Sequence, residues 1–229
     1  MTSQAPLTLV RLLQLASPAL PIGAYSYSQG LEWAVTTGAV CDERSAAEWV
    51  GDVLELVIVP GEAAVLWRLL IAAQQGDGQR LHEWNEWFRA SRETAELRAE
   101  TEQMGVSLVG LAGELGLLDE ARRAAAKAMV PVTLPAAYAL ASQGFGIPPD
   151  AALLAYLWAW LENQVLAAMK TVPLGQVAGQ RTLAELGARI PRAAECAQSI
   201  HDNDLNTFAP GFAIASCLHE MQYSRLFRS

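Results

Sequence analysis

Two long stretches of this chain carry no charge, Leu12 to Leu31 and Ala128 to Pro149, and both are cut by proline. Either is long enough to suit a membrane span. Pro18, Pro21 and Gly23 break the first, and Pro131, Pro135, Pro148 and Pro149 break the second. Proline removes a helix donor and collides with the preceding turn, so neither stretch can form a continuous span. Short apolar helices packed on one another remain, and the rest of the chain repeats that pattern. Apolar residues recur at helical spacing, Pro and Gly interrupt them, and no run alternates apolar and polar as a strand would. The expected fold is therefore all-α, a single-domain helical bundle of roughly ten helices over residues 1–229.

In chain order the expected pieces are a helix over Leu7 to Ala16, an irregular link over Ser17 to Tyr25, and a second helix capped by Ser26 or Ser28 and ended by Gly38. Asp42 or Ser45 caps the next helix; Ser45 and Glu48 have capping-box spacing, and Pro60 and Gly61 close it. Between Gln79 and Gly105, Arg89 and Glu93, Arg92 and Glu96, and Arg98 and Glu102 stand four apart, as ion pairs on solvated helix faces do. Glycines 105, 110, 113 and 116 imply close helix packing. Buried helices are expected over Leu134 to Gly144 and, centrally, Asp150 to Thr171. Further helices start at Gln176, Pro191 and Pro210, the last running to Phe227.

Composition narrows the function. Hydrophobic residues make up 52% and the net charge is −8, so no basic stripe is available for nucleic acid. Cys41, Cys196 and Cys217 are odd in number and far apart, which fits a reducing compartment and no disulfide framework. The first residues show no basic leader region, and a cytoplasmic location is expected. Gly175 to Gly179 lacks the Lys-Ser/Thr of a phosphate loop. His219-Glu220-Met221-Gln222-Tyr223 imitates a zinc-protease helix, but Tyr223 stands where the second His ligand would be. His82 and His201 read as solvent-exposed. No catalytic, cofactor or metal set emerges, which points to a binding protein. Two rivals are an enzyme of unknown type and a helical membrane-associated protein inserting Leu153 to Met169.

The opening stretch LLQLASPALPIGAYSYSQGLE (Leu12 to Glu32) resembles the signature of the UreF family of urease accessory proteins. Ser91 to Gly105, Lys170 to Gln180 and the end HEMQYSRLFRS (His219 to Ser229) are similar to family segments in the same order, while Val106 to Pro149 matches poorly. The resemblance implies an all-helical, dimerising protein without catalysis of its own and without a cofactor. It implies a bridge between UreD (also called UreH) and the GTPase UreG, modulating UreG, in an assembly that loads nickel into apo-urease (UreABC). It assigns Lys170, Pro173, Gly175 and Gln176 to the G-protein side. It assigns His219, Glu220, Tyr223, Arg225 and Phe227 to UreD. Pro21, Gly23, Tyr25, Ser26, Gln29 and Glu32 go to a partner or dimer surface. On this reading the tail from 219 to 229 is a partner anchor, so losing Leu226 to Ser229 is expected to leave stability nearly unchanged.

Overall fold

The structure is a computed structural model that describes residues 4–229; residues 1–3, part of the stretch read for a leader, lie outside it. It is all-α, with no strand among the described residues. The opening pieces fall close to their expected places: α1 spans Gln4–Leu15, a 3-10 turn Ala24–Ser26 closes the irregular link, and α2 spans Leu31–Thr36. Gly38 follows α2 at φ 77°, the left-handed terminator that its position called for. The start of α2 differs from expectation. Neither serine caps it; Gly30 does, at φ 80°, directly after Gln29 at φ 53°. A β-carbon on Gly30 would lie 3.3 Å from the Ser216 nitrogen, so the corner is pressed against the chain's last helix.

The third helix departs from expectation in part. Asp42, one of the two expected caps, caps α3 (Glu43–Val53), but the capping box is closed by Ser45 and not by Glu48, which pairs with Arg44. Pro60 does not stop the helix. The chain passes through a π-helical segment, Leu54–Ala63, and on into α4, Ala64–Gln75. The wider turn accommodates a residue that has no N–H to give and a ring that an α-turn rejects. Leu54, Val57, Ile58 and Val59 are buried along it, which is what holds the irregular winding in place. The run Glu43–Gln75 is long and apolar enough to cross a membrane, and 72% of its apolar window is buried inside the fold.

After α5 (Gly78–Ala90) the chain breaks at Ser91 and restarts at α6 (Ala95–Glu114), capped by Thr94. This break overturns the expected pairs Arg89–Glu93 and Arg92–Glu96; the third, Arg98–Glu102, lies within α6 and is lost because Arg89 takes Glu102. Arg89 reaches Glu102 at 2.7 Å, Arg92 turns inward to Glu62 at 3.3 Å, and Arg98 donates to the Arg92 carbonyl. Four-residue spacing makes neighbours only within one unbroken helix. Next come α7 (Glu120–Ala128), α8 (Leu134–Gly144) and α9 (Pro149–Thr171). α9 is central: α1, α2, α3, α4, α8, α10 (Gln176–Gly187) and α11 (Ile190–Ser199) pack on it. Leu153, Leu157, Leu161 and Val165 lie buried along it, so the segment weighed for membrane insertion is core. Finally α12, Pro210–Glu220, stops seven residues before the expected end at Phe227, and the remaining chain turns back onto the body.

Of the four glycines read as packing sites, only Gly105 is one. A β-carbon there would sit 2.3 Å from the Val132 carbonyl oxygen, whereas Gly110 and Gly113 face open space and Gly116 terminates α6 at φ 69°. Gly105→Ala is expected to destabilise by about 1–3 kcal/mol or more, through forced separation of α6 from the segment before α8. Gly110→Ala is expected to stabilise by about 0.5–1 kcal/mol, since helix propensity is then the only term. Thermal melts of the two variants check the pair; equal shifts would contradict the close approach.

Candidate partner-binding site

The returning tail creates the site. Just before the Gln29–Gly30 corner, where two successive residues are left-handed, the amides of Ser28 and Gln29 both donate to the Ser229 main-chain oxygen, at 2.8 and 3.0 Å. The Ser28 hydroxyl adds a third bond to that oxygen at 2.6 Å. One residue earlier, the Arg228 amide donates to the Ser26 carbonyl at 2.8 Å. The Glu32 carboxylate accepts from the Leu226 and Phe227 amides, at 2.6 and 2.9 Å. A buried carboxylate with two backbone donors makes charge-assisted bonds, about twice as strong as neutral ones.

His219 joins the tail to α6. Fully buried, it places Nε2 3.3 Å from Glu32 and Nδ1 2.7 Å from Glu96. Glu96 also holds the Arg225 guanidinium, and its own amide donates to Glu220 at 3.1 Å. Cys217, two residues back, faces solvent, as helical geometry requires. Among the described residues no three His, Cys, Asp or Glu side chains are placed to hold one metal ion.

Phe227 drops into a small separate core of Leu31, Ala34, Val40, Ala46, Ala167, Ala168 and Val172, and is only 5% exposed. The Lys170 ammonium lies 5.5 Å from its ring centroid and 5.9 Å from that of Tyr25, so one cation stands between the opening loop and the tail. Pro173, Gly175 and Gln176 continue from Lys170 as an exposed ledge, with Val172 in the Phe227 core and Leu174 packed against it. The four resembling stretches thus meet on one side of the molecule. The roles within them sort by burial. Gln29, Glu32, His219 and Phe227 are buried and hold the site together. Tyr25, Lys170, Gln176, Tyr223 and Arg225 are exposed, and Tyr223 is completely so. Pro21 and Gly23 lie on the loop rim, where Gly23 adopts φ 82° with nothing near its missing β-carbon.

Beneath the corner runs a polar network that the sequence reading missed. Trp160 Nε1 donates to Gln29 Oε1 at 2.8 Å, and Gln29 Nε2 donates to Glu100 at 2.7 Å. The Ser229 hydroxyl donates to the other Glu100 oxygen at 2.6 Å. Nearby, Tyr156 donates to Glu62, which pairs with Arg92. All of these groups except Ser229 line one side of a cavity of about 110 Å³ whose other walls include Leu15, Leu20, Ile22, Met104 and Leu134. Burial pushes the Glu100 carboxyl up to about 7, against the lowering by its two donors, and burial followed by the Glu62 charge raises the Tyr156 phenol. A signal for Glu62 existed: it is the single charge between Leu56 and Trp67. Glu100 sits in a charge-rich run and gave none.

The structure corrects the expectation that the tail is a free anchor, because Phe227 is core. Phe227→Ala is expected to destabilise by about 3 kcal/mol, and removal of Leu226 to Ser229 by at least as much, since it also strands the Glu32 and Glu100 acceptors. Tyr223→Ala, touching solvent alone, is expected to leave the melting temperature unchanged. Melts of the three variants decide; a truncation as stable as the full chain would restore the free-anchor picture.

The UreF family model matches residues 40–187. A urease accessory protein UreF of Azoarcus sp. (strain BH72) is 55% identical over 225 residues, covering 97% of this chain and 96% of that one. One of Janthinobacterium sp. (strain Marseille) is 52% identical over 221 residues, covering 96% and 98%. A bifunctional urease accessory protein UreEF of Bordetella bronchiseptica is 52% identical over 225 residues, which are 96% of this chain and 52% of that protein. With an all-α fold that gathers the four resembling stretches and identity above half over nearly its whole length, this chain belongs to the UreF family of urease accessory proteins.

Proposed function

We propose that this protein is a bridge in urease maturation, acting in the cytoplasm as a homodimer. It joins UreD (UreH) to the GTPase UreG on apo-urease (UreABC), so that nickel is incorporated. The observation that carries the reading is Lys170, held between Tyr25 and Phe227. It makes the ledge Pro173–Gly175–Gln176 and the tail two parts of one face, each still open to a different partner.

The UreD side is the outer surface of the tail and of α12. Ile214 and Leu218 on α12 and Met221 at its C-terminal cap recur at spacings of four and three and are all exposed, with Tyr223 and Leu226 following. An apolar stripe next to an exposed Tyr and the Arg225 guanidinium has the composition of an interface anchor. The UreG side is the ledge, where Lys170, Gln176 and Val177 stand clear of the body. The buried residues Glu32, His219 and Phe227 serve both sides by fixing the tail relative to the ledge. A further apolar face, Leu7, Leu9, Val10 and Leu13 on α1, is exposed and supplies a surface for the second copy.

Co-purification of tagged protein from cells expressing the urease genes tests this reading. The full chain is expected to bring down UreD, UreG and urease subunits. Tyr223→Asp is expected to lower UreD capture at least about tenfold with the melting temperature unchanged, since a buried aromatic anchor contributes about 2 kcal/mol or more. Lys170→Ala with Gln176→Ala is expected to lower UreG capture while UreD capture persists. Variants that capture both partners at the level of the full chain would refute the two-sided face.

A further inference from the structure

Three acidic side chains are buried among the described residues, and two have a cationic or imidazole partner: Glu32 with His219, and Glu62 with Arg92. Glu100 has none. Its oxygens receive only the Gln29 amide and the Ser229 hydroxyl, two neutral donors, with a cavity on the inner side and the tail on the outer. An ionised carboxylate in such a place has no directly bonded cation, Arg92 acting on it only while paired with Glu62, and lifting the residue that covers it opens it to solvent. That residue belongs to a segment which leaves α12 through a turn, Met221 to Ser224, exposed except at the half-buried Gln222, and so can move without unwinding a helix.

We propose that Glu100 is a proton-controlled latch for the tail, holding Arg225–Ser229 in its seat while protonated and releasing it on ionisation. The groups facing it are known. Glu62 and Arg92 lie on the cavity side, Tyr156 on α9, Tyr27 in the opening loop, and Arg228 on the tail beside Tyr27. Glu32, His219, Glu96, Glu220 and Arg225 form the other attachment, one helical turn away along α6.

The direction follows from the buried state. Seated, the carboxyl holds its proton up to about 7, above its ordinary value of 4.5. The seated state therefore binds the proton more tightly than a state in which water reaches Glu100. Seating is strongest below the ordinary value and weakens as pH rises from there through about 7. Release uncovers Glu32, the Phe227 core and the amides of Ser28 and Gln29, whichever partner the tail meets.

Amide hydrogen exchange on the full chain tests the latch. After correction for intrinsic rates, protection at Ser28, Gln29, Leu226 and Phe227 is expected to fall at least about tenfold between pH 6 and pH 8, while amides of α8 stay protected. Glu100→Gln, neutral at every pH, is expected to remove the fall. Protection independent of pH, a fall that persists in Glu100→Gln, or a simultaneous loss in α8 would each overturn the proposal. If Glu100→Gln does not fold, carboxyl-carbon NMR of the unsubstituted chain decides. A Glu100 signal titrating together with the loss of tail protection supports the latch, and one titrating with the surface glutamates overturns it.

Discussion

The corner at Gln29–Gly30 holds this molecule's distant parts in register. There the consecutive amides of Ser28 and Gln29 donate to Ser229, and Gly30 leaves room for the backbone of α12. The Gln29 side chain, buried beneath, accepts from Trp160 and donates to Glu100. One residue thus fixes the spacing of α9, α6 and the tail. A buried amide has both a donor and an acceptor to satisfy, and here each partner comes from a different helix. That makes the corner a junction. Replacing Gly30 by any residue with a β-carbon would strain a left-handed φ and press on α12 together.

Function is layered on this junction by burial. Glu32, His219 and Glu96 form a chain of polar contacts that ties α2, α12 and α6 to the tail, and none of them faces outward enough to meet a partner alone. What they do is set where the exposed groups stand. Lys170 can reach both Tyr25 and Phe227 only because Phe227 is pulled into the core between α2 and α9. For a protein whose relatives are named accessory proteins, such rigidity is a useful property. A face assembled from four chain segments keeps its geometry only if the segments are bonded to one another.

Charge placement explains why parts of the interior stayed invisible in the sequence. Arg92, Glu96 and Glu100 read as members of a solvated, evenly charged helix, and the four-residue spacing supported that reading. The chain instead breaks between Ser91 and Thr94, which rotates Arg92 inward to Glu62 and gives α6 a face where Glu96 and Glu100 meet the tail. Spacing rules hold within one helix, and nothing local marked the break beyond a Ser and a Thr. Pro60 erred the other way: a strong local stop signal was overridden because the apolar residues around it gain more from staying buried in one continuous run.

The sequence by itself determined the all-α class, the boundaries set by Pro and Gly apart from that at Pro60, the buried helices α8 and α9, and the family, because periodicity, backbone restriction and a long uncharged signature are local properties. It also named the four stretches that meet. Only the tertiary structure decided which of their residues hold and which face out: Phe227 inward and Tyr223 outward, Glu100 buried without a directly bonded cation, His219 between two carboxylates. Those distinctions rest on contacts between residues as much as 201 positions apart, such as Ser28 with Ser229, and burial of that kind is a property of the packed molecule and not of any window along the chain.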